Sequence, residues 1–300
     1  MKLRLGINTC FAVKRWPQAE AWAPIVADRL GLRLVQHSFD LVTRDVDDPA
    51  ALRRVCDGHG LELASTFTGL AAYSANLLLD PRSEARQAAE AWFTWAIGWT
   101  AAAGATATGG HVGAFSVAGW RDPVTRAARW SGLQDALARL ATTARTAGLE
   151  QLVIENLAVA REPSTMAMVH DLVTDGDAAR VPVGLCLDTG HMCVVGTEGD
   201  ERDPYAWLRA MAPVTAMLQL QQSDAEGDHH WPFTAARNAQ GRVDADRVID
   251  ALGEGGVEQM DAYLEVIPSF EQDDDEVLDD LEASVDHWRE ALARRGVHAA

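Results

Sequence analysis

The sequence predicts an α/β fold, a single (β/α)8 TIM barrel running over residues 1–300 as one domain. Three observations carry that expectation. Short apolar runs alternate with longer stretches of helical spacing, and Asp-Pro pairs mark helix starts between them. No Gly-x-Gly-x-x-Gly follows the first run, where a doubly wound sheet would carry its phosphate loop. Eight such units leave roughly 37 residues for each strand, helix and pair of loops, which suits the barrel.

The strand candidates are 3–9 (LRLGINT), 33–39 (LRLVQHS), 61–67 (LELASTF), 105–113 (ATATGGHVG), 151–156 (QLVIEN), 181–188 (VPVGLCLD), 215–222 (TAMLQLQQ) and 262–268 (AYLEVIP). Between them Trp92, Ala96, Trp99 and Ala103 recur at helical spacing and stop at Gly104; Trp130, Leu133, Leu137, Leu140 and Ala144 repeat the design before Gly148. Leu278, Leu281, Val285, Trp288 and Leu292 line one face of a last helix, whose acidic start at 273–276 suits the helix dipole. In Asp48-Pro49, Asp80-Pro81, Asp122-Pro123 and Asp203-Pro204 a capping side chain precedes a proline suited to the first helical position. Four helix starts are expected there. Trp92, Trp99 and Trp288 read as packing.

Composition narrows the function. Forty-four acidic against twenty-six basic side chains give a net charge of −18, which repels phosphate backbones and anionic membranes. No nucleic-acid or membrane partner is expected. Cys10, Cys56, Cys186 and Cys193 form no Cys-x-x-Cys pair, so reduced thiols in a cytoplasmic protein are expected. The N-terminus lacks an apolar signal core, and no run reaches the ~20 apolar residues that cross a bilayer.

In a closed barrel the chemistry gathers where strands end at the carboxyl face. Glu155 closes LVIE, Asp188 closes GLCLD, Gln219 and Gln221 lie in LQLQQ, and Glu265 lies in YLEVIP. A carboxylate in such a run is costly unless paired, hydrogen-bonded or bound to a metal. Spacings of 33, 33 and 44 residues from Glu155 through Asp188 and Gln221 to Glu265 match successive units, so four neighbouring strands would each offer one oxygen ligand. Oxygen donors favour Mn²⁺, Mg²⁺ or Co²⁺ over a thiolate-seeking ion. His191, three residues after Asp188, can orient the site or donate to a substrate. Further substrate-contact candidates are His111 behind two glycines, His37 at the end of the second run, and His230 and Arg237 in the long polar loop after the seventh. That loop is expected to cover the site, with Arg237 suited to a phosphate or carboxylate.

VIEN, LCLDTGH, LQLQQSD and YLEVIP resemble the metal-site strands of the xylose-isomerase-like barrel superfamily of sugar isomerases and epimerases, and the likeness spans essentially the whole chain. It implies a metal set of Glu155, Asp188, Gln221 and Glu265, Mn²⁺ favoured, with glutamine where the family usually has histidine and Gln219 competing for that place. It also implies that Glu155 and Glu265, with His191 beside them, bracket a ketose or ketose phosphate and exchange a proton next to its carbonyl. Inversion at such a carbon needs a base on each face. Epimerisation at carbon 3 is favoured; an aldose-ketose isomerase or a sugar dehydratase would use the same site. Asp188-x-x-His191 and Asp228-x-His230 also resemble part of the multi-zinc site of an abasic-DNA endonuclease, against which the charge of −18 argues. A non-catalytic sugar binder would have little use for two opposed glutamates. The sugar itself and any homo-oligomeric assembly stay open.

Overall fold

The computed structural model describes residues 1–39 and 48–299. Eight parallel strands, β1 (Lys2–Asn8), β2 (Leu34–Ser38), β3 (Glu62–Phe67), β4 (Ala107–Gly110), β5 (Gln151–Glu155), β6 (Val183–Asp188), β7 (Thr215–Leu220) and β8 (Gln259–Leu264), pair in chain order. β1 pairs with both β8 and β2, which closes the barrel. The short β9 (His298–Ala299) adds outside β1. Each expected strand is present. The fourth is shorter than 105–113: it begins at Ala107 and ends at Gly110, whose φ is +118°. The eighth begins earlier, where Gln259 pairs with Lys2, and ends before Glu265, after which Ile267 bonds the His230 carbonyl and the chain leaves the sheet.

Side chains alternate along each strand, and the inward set builds the barrel interior in layers. Leu34, Phe67, Ala107, Val153, Cys186, Met217 and Tyr263 form an apolar cluster inside the barrel, separate from the larger core between barrel and helices. Two residues onward from members of this cluster stand Gln36, Glu155, Asp188, Gln219 and Glu265, all buried. The apolar floor and the polar layer above it are thus one alternation read twice. At the amino end Arg4 grips Asp261 at 2.6 and 2.6 Å and reaches Glu62 at 2.9 and 2.8 Å, tying β1 to β8 and β3.

Outside lie α1 (Ala19–Pro24), α2 (Pro49–Gly58), α3 (Ser83–Ala103), α4 (Val117–Arg121), α5 (Pro123–Ala147), α6 (Met166–Leu172), α7 (Pro204–Met211), α8 (Ala235–Asn238), α9 (Ala245–Glu254) and α10 (Asp274–Arg294). Asp48, Asp122 and Asp203 cap α2, α5 and α7, each with proline next. Asp80 does not cap α3, which starts behind Arg82. A 3-10 turn over Leu77–Leu79 ends at Asp80, and its carboxylate accepts instead from the Arg82 backbone and guanidinium. Gly104 and Gly148 end α3 and α5 in the left-handed conformation, and Trp92, Trp99 and Trp288 are buried as packing. Among the described residues no helix is long and apolar enough to cross a membrane.

Gly109 of β4 leaves no room for a side chain against β5: a Cβ there would lie 1.9 Å from the Val153 carbonyl oxygen, at a φ of +150°. Gly109→Ala should therefore cost about 3 kcal/mol or more, because backbone rather than a side-chain tip must yield. Gly148→Ala meets open space and bears only the left-handed penalty of about 1–2 kcal/mol. Urea unfolding of both variants tests this; equal losses would mean that the strand contact is not tight.

Candidate active site

Three carboxylates converge at the carboxyl ends of the strands. Glu155 ends β5 and accepts a hydrogen bond at Oε2 from the Tyr73 hydroxyl at 2.8 Å. Asp188 ends β6; its Oδ1 accepts from the Gly190 amide at 2.7 Å and from Gln221 Nε2 at 2.9 Å. Glu265 follows β8 and accepts at Oε1 from Gln219 Nε2 at 2.9 Å. In each case the second oxygen, Glu155 Oε1, Asp188 Oδ2 or Glu265 Oε2, is buried and has no hydrogen-bond partner. A lone orphan of this kind would cost stability. Three of them on adjoining strand ends make a donor set, and hard oxygen donors are what a divalent cation takes.

His191 completes one side. Its Nδ1 donates to the Asn156 carbonyl at 2.7 Å, which leaves Nε2 with a lone pair in the neutral ring. That Nε2 lies 3.2 Å from Asp228 Oδ2 without the alignment of a hydrogen bond. Asp228 arrives from a hairpin after β7, pinned where Gln222 and Trp231 exchange backbone bonds of 2.9 and 3.0 Å. The same hairpin brings His230, whose Nε2 is 3.1 Å from Asp228 Oδ1 and whose Nδ1 is 3.6 Å from Glu265 Oε2. Gln221 holds the hairpin down: its Oε1 accepts from the His230 amide at 2.6 Å, and its Nε2 donates to Asp188 and Asp228. Among the described residues three groups have ligand atoms close enough to share an ion: Glu155, Asp188 and His191; Asp188, His230 and Glu265; and His191, Asp228 and His230.

The charges press on one another. Burial foremost, opposed by His191 and reinforced by Asp188, pushes the Glu155 carboxyl up to about 8. Burial, then Glu155 and Asp188, raises Glu265 well above the usual carboxylate range. Burial disfavours a charged His191, yet Asp188, Asp228 and Glu155 together carry it well above its ordinary value. Against the effect of burial, His191 and His230 hold Asp228 below the usual range. A cation among these groups reverses the balance by favouring the ionised carboxylates.

The other expected residues divide. His111 is fully buried after β4, 3.4 Å from Glu162 Oε1, with Nδ1 unpartnered; its ring meets Tyr73, which in turn holds Glu155. His37 is not brought together with the carboxylates. It lies on the outward face of β2, stacked on Trp99 of α3 at 5.4 Å, and burial lowers it to about 4. Its parity is opposite to that of Gln36, which the alternation of Leu34 and Gln36 already encodes. Arg237 lies in α8 with its guanidinium over the Trp231 ring, 4.5 Å from the centroid. Tyr73, Asn156, Asn8 and Gln36 were not legible as site residues; only Asn8 and Gln36 carry a signal, the inward parity of their strands.

A family model described as a xylose isomerase-like TIM barrel matches residues 25–297. The chain is 29% identical over 306 residues to the D-erythrulose 1-phosphate 3-epimerase of Brucella abortus (strain 2308), covering 96% of each. It superposes on the crystal structure of a provisionally named xylose isomerase from Rhodospirillum rubrum ATCC 11170 with a TM-score of 0.85 at 32% identity, over 96% of this chain and 99% of that one. The D-psicose 3-epimerase of Clostridium cellulolyticum H10 shares the fold, with a TM-score of 0.68 at 15% identity over 96% and 99% of the two chains. This chain belongs to the xylose isomerase-like TIM-barrel family, as an enzyme of its isomerase and epimerase kind.

Proposed function

We propose that this enzyme is a divalent-metal-dependent ketose 3-epimerase, with a short ketose phosphate of the D-erythrulose 1-phosphate kind as its substrate and Mn²⁺ as the favoured ion. The observation that carries the reading is the pair of glutamates on β5 and after β8, each with one oxygen held and one free. The likeness to a D-erythrulose 1-phosphate 3-epimerase over nearly the full length of both chains supports the substrate class. Glu155, Asp188 and Glu265 would hold the ion. Gln221 Oε1, the fourth ligand expected from sequence, already accepts from His230 N, and the His230 ring stands in one donor group with Asp188 and Glu265. The proposal therefore gives the fourth place to His230 and makes Gln221 the residue that presents it.

A bound divalent cation supplies Lewis acidity at the ketose oxygens, which makes the neighbouring C–H more acidic. One glutamate takes the proton from carbon 3 on its face, and the other returns a proton from the opposite face. Tyr73 anchors Glu155 through Oε2 and so fixes the direction in which its carboxylate faces the other two acids. His191, fixed by the Asn156 carbonyl, would offer Nε2 to the substrate oxygens, and His111 would act on the site through Tyr73, against which its ring packs.

Glu155→Gln and Glu265→Gln should each lower kcat on D-erythrulose 1-phosphate by about 100-fold or more, since a positioned acid or base contributes at least that much. Chromatographic assay of the epimer and deuterium uptake from solvent measure it; either variant keeping a tenth of the wild-type rate would defeat the two-base mechanism.

Stability should also depend on pH and metal together. Groups whose folded pKa is raised, here Glu155, Glu265 and His191, stabilise the fold at low pH and lose that contribution as pH rises through their folded values, from about 4.3 upward for the two glutamates and from about 6.5 upward for His191. Asp228, held low, contributes steadily above about pH 4. The metal-free protein should thus melt at lower temperature at pH 8 than at pH 6, and Mn²⁺ should raise Tm more at pH 8. His230→Ala should shrink that Mn²⁺ effect more than Gln221→Ala; the opposite order would return the ligand role to Gln221.

Arg237→Ala should raise KM for D-erythrulose 1-phosphate at least tenfold while changing KM for unphosphorylated erythrulose less than twofold, about the worth of one charge-assisted pair. Equal changes would remove Arg237 from phosphate recognition.

A further inference from the structure

Four amide hydrogen bonds meet beneath Glu265. Asn8 Nδ2 donates to Gln36 Oε1 at 2.7 Å and to Glu265 Oε1 at 3.3 Å; Gln219 Nε2 donates to the same two oxygens, each at 2.9 Å. All four residues are buried. An amide could in principle turn either end to its neighbour, but here each end is assigned by its partners. Asn8 Oδ1 accepts from the Cys10 backbone amide at 2.8 Å, and Gln219 Oε1 accepts from the Cys186 thiol at 3.3 Å. Both NH2 ends must then face Glu265 and Gln36. The NH2 end of Gln36 is used elsewhere, on Ser65 Oγ at 3.3 Å.

We propose that Gln219 is the positioning residue for Glu265: locked by Cys186 and Gln36, its amide fixes the rotation of the carboxylate and so the direction in which Oε2 points. This rests on the reading of Glu265 as a proton carrier. It also takes Gln219 out of the competition for a metal, because the atom that meets Glu265 is a nitrogen with no lone pair to give, and the oxygen is engaged by a thiol. The two glutamates are held differently. Glu155 has one hydroxyl donor from a loop, whereas Glu265 has two amide donors rooted in β1 and β7. Misplacing a reacting group by about 1 Å costs on the order of 100-fold in rate, so the clamp bears on turnover more than on binding.

Gln219→Met keeps the volume and removes the donor; Cys186→Ala frees the amide to turn, and Cys186→Ser keeps a donor to it. With D-erythrulose 1-phosphate and Mn²⁺, Gln219→Met should lose about 10- to 100-fold in kcat with KM within about twofold of wild type. Cys186→Ser should stay near wild type, and Cys186→Ala should lose about threefold or more. The specific signature is an asymmetry in D2O. The epimer whose proton Glu155 removes should go on exchanging with solvent while its inversion collapses, and the other epimer should lose both. Unchanged kcat in a cooperatively folding Gln219→Met, or exchange and inversion falling in step from both epimers, overturns the proposal. Crystal structures of wild type and Gln219→Met judge it without activity: a displaced or divided Glu265 side chain supports it, and an unmoved one overturns it. Should the wild type neither invert nor exchange any ketose, the epimerase reading fails, and those crystal structures still decide the role of Gln219.

Discussion

Three acidic oxygens held out of water without partners, on Glu155, Asp188 and Glu265, set the terms for the rest of the molecule. Leaving even one buried carboxylate uncompensated costs several kcal/mol, so the scaffold has to supply that stability elsewhere and keep the groups from relaxing apart. The closed parallel ladder does both. Its inward face packs Val153, Cys186, Met217 and Tyr263 directly under the polar layer, so no carboxylate can sink, and the Arg4 bracket locks the seam at the far end. The remaining oxygen of each acid, Glu155 Oε2, Asp188 Oδ1 or Glu265 Oε1, is tethered by a neutral donor, which limits the mutual repulsion without abolishing it. Stability and chemistry therefore sit at opposite ends of the same strands.

The acidic character of the site explains why its histidine and amide neighbours matter. His191 and His230 flank Asp228, and Gln221 donates to both Asp188 and Asp228, so the hairpin after β7 is held by the charges it covers. Loop and strand ends are thus one electrostatic unit: a change in the charge at Asp188 alters what holds Asp228.

The barrel was legible in the sequence because its signals are local. Alternation located eight strands, and Asp-Pro pairs located the starts of α2, α5 and α7; Asp80 misled because a 3-10 turn ahead of it had already used the position. Glu155, Asp188, Gln221 and Glu265 could be singled out as polar interruptions in apolar runs. His37, a substrate-contact candidate from its place at a strand end, is set apart from them by parity, which turns it toward Trp99. Tyr73 lies 82 residues from Glu155 in a short turn, and no periodicity ties the two. Asp228 depends on a two-residue bridge between Gln222 and Trp231 that only the folded chain makes. What escaped the sequence was contact through space between irregular segments.

His230 adopts a φ of +47°, in the left-handed region that side chains other than glycine enter at a cost of about 1–2 kcal/mol. The hydrogen bond from its own amide to Gln221 holds it there. A glycine at this position would relax the backbone and lose the imidazole, so the two demands on residue 230 oppose each other. Relief of backbone strain and an imidazole between Asp188 and Glu265 are thus mutually exclusive at residue 230, and His230→Gly exchanges the one for the other.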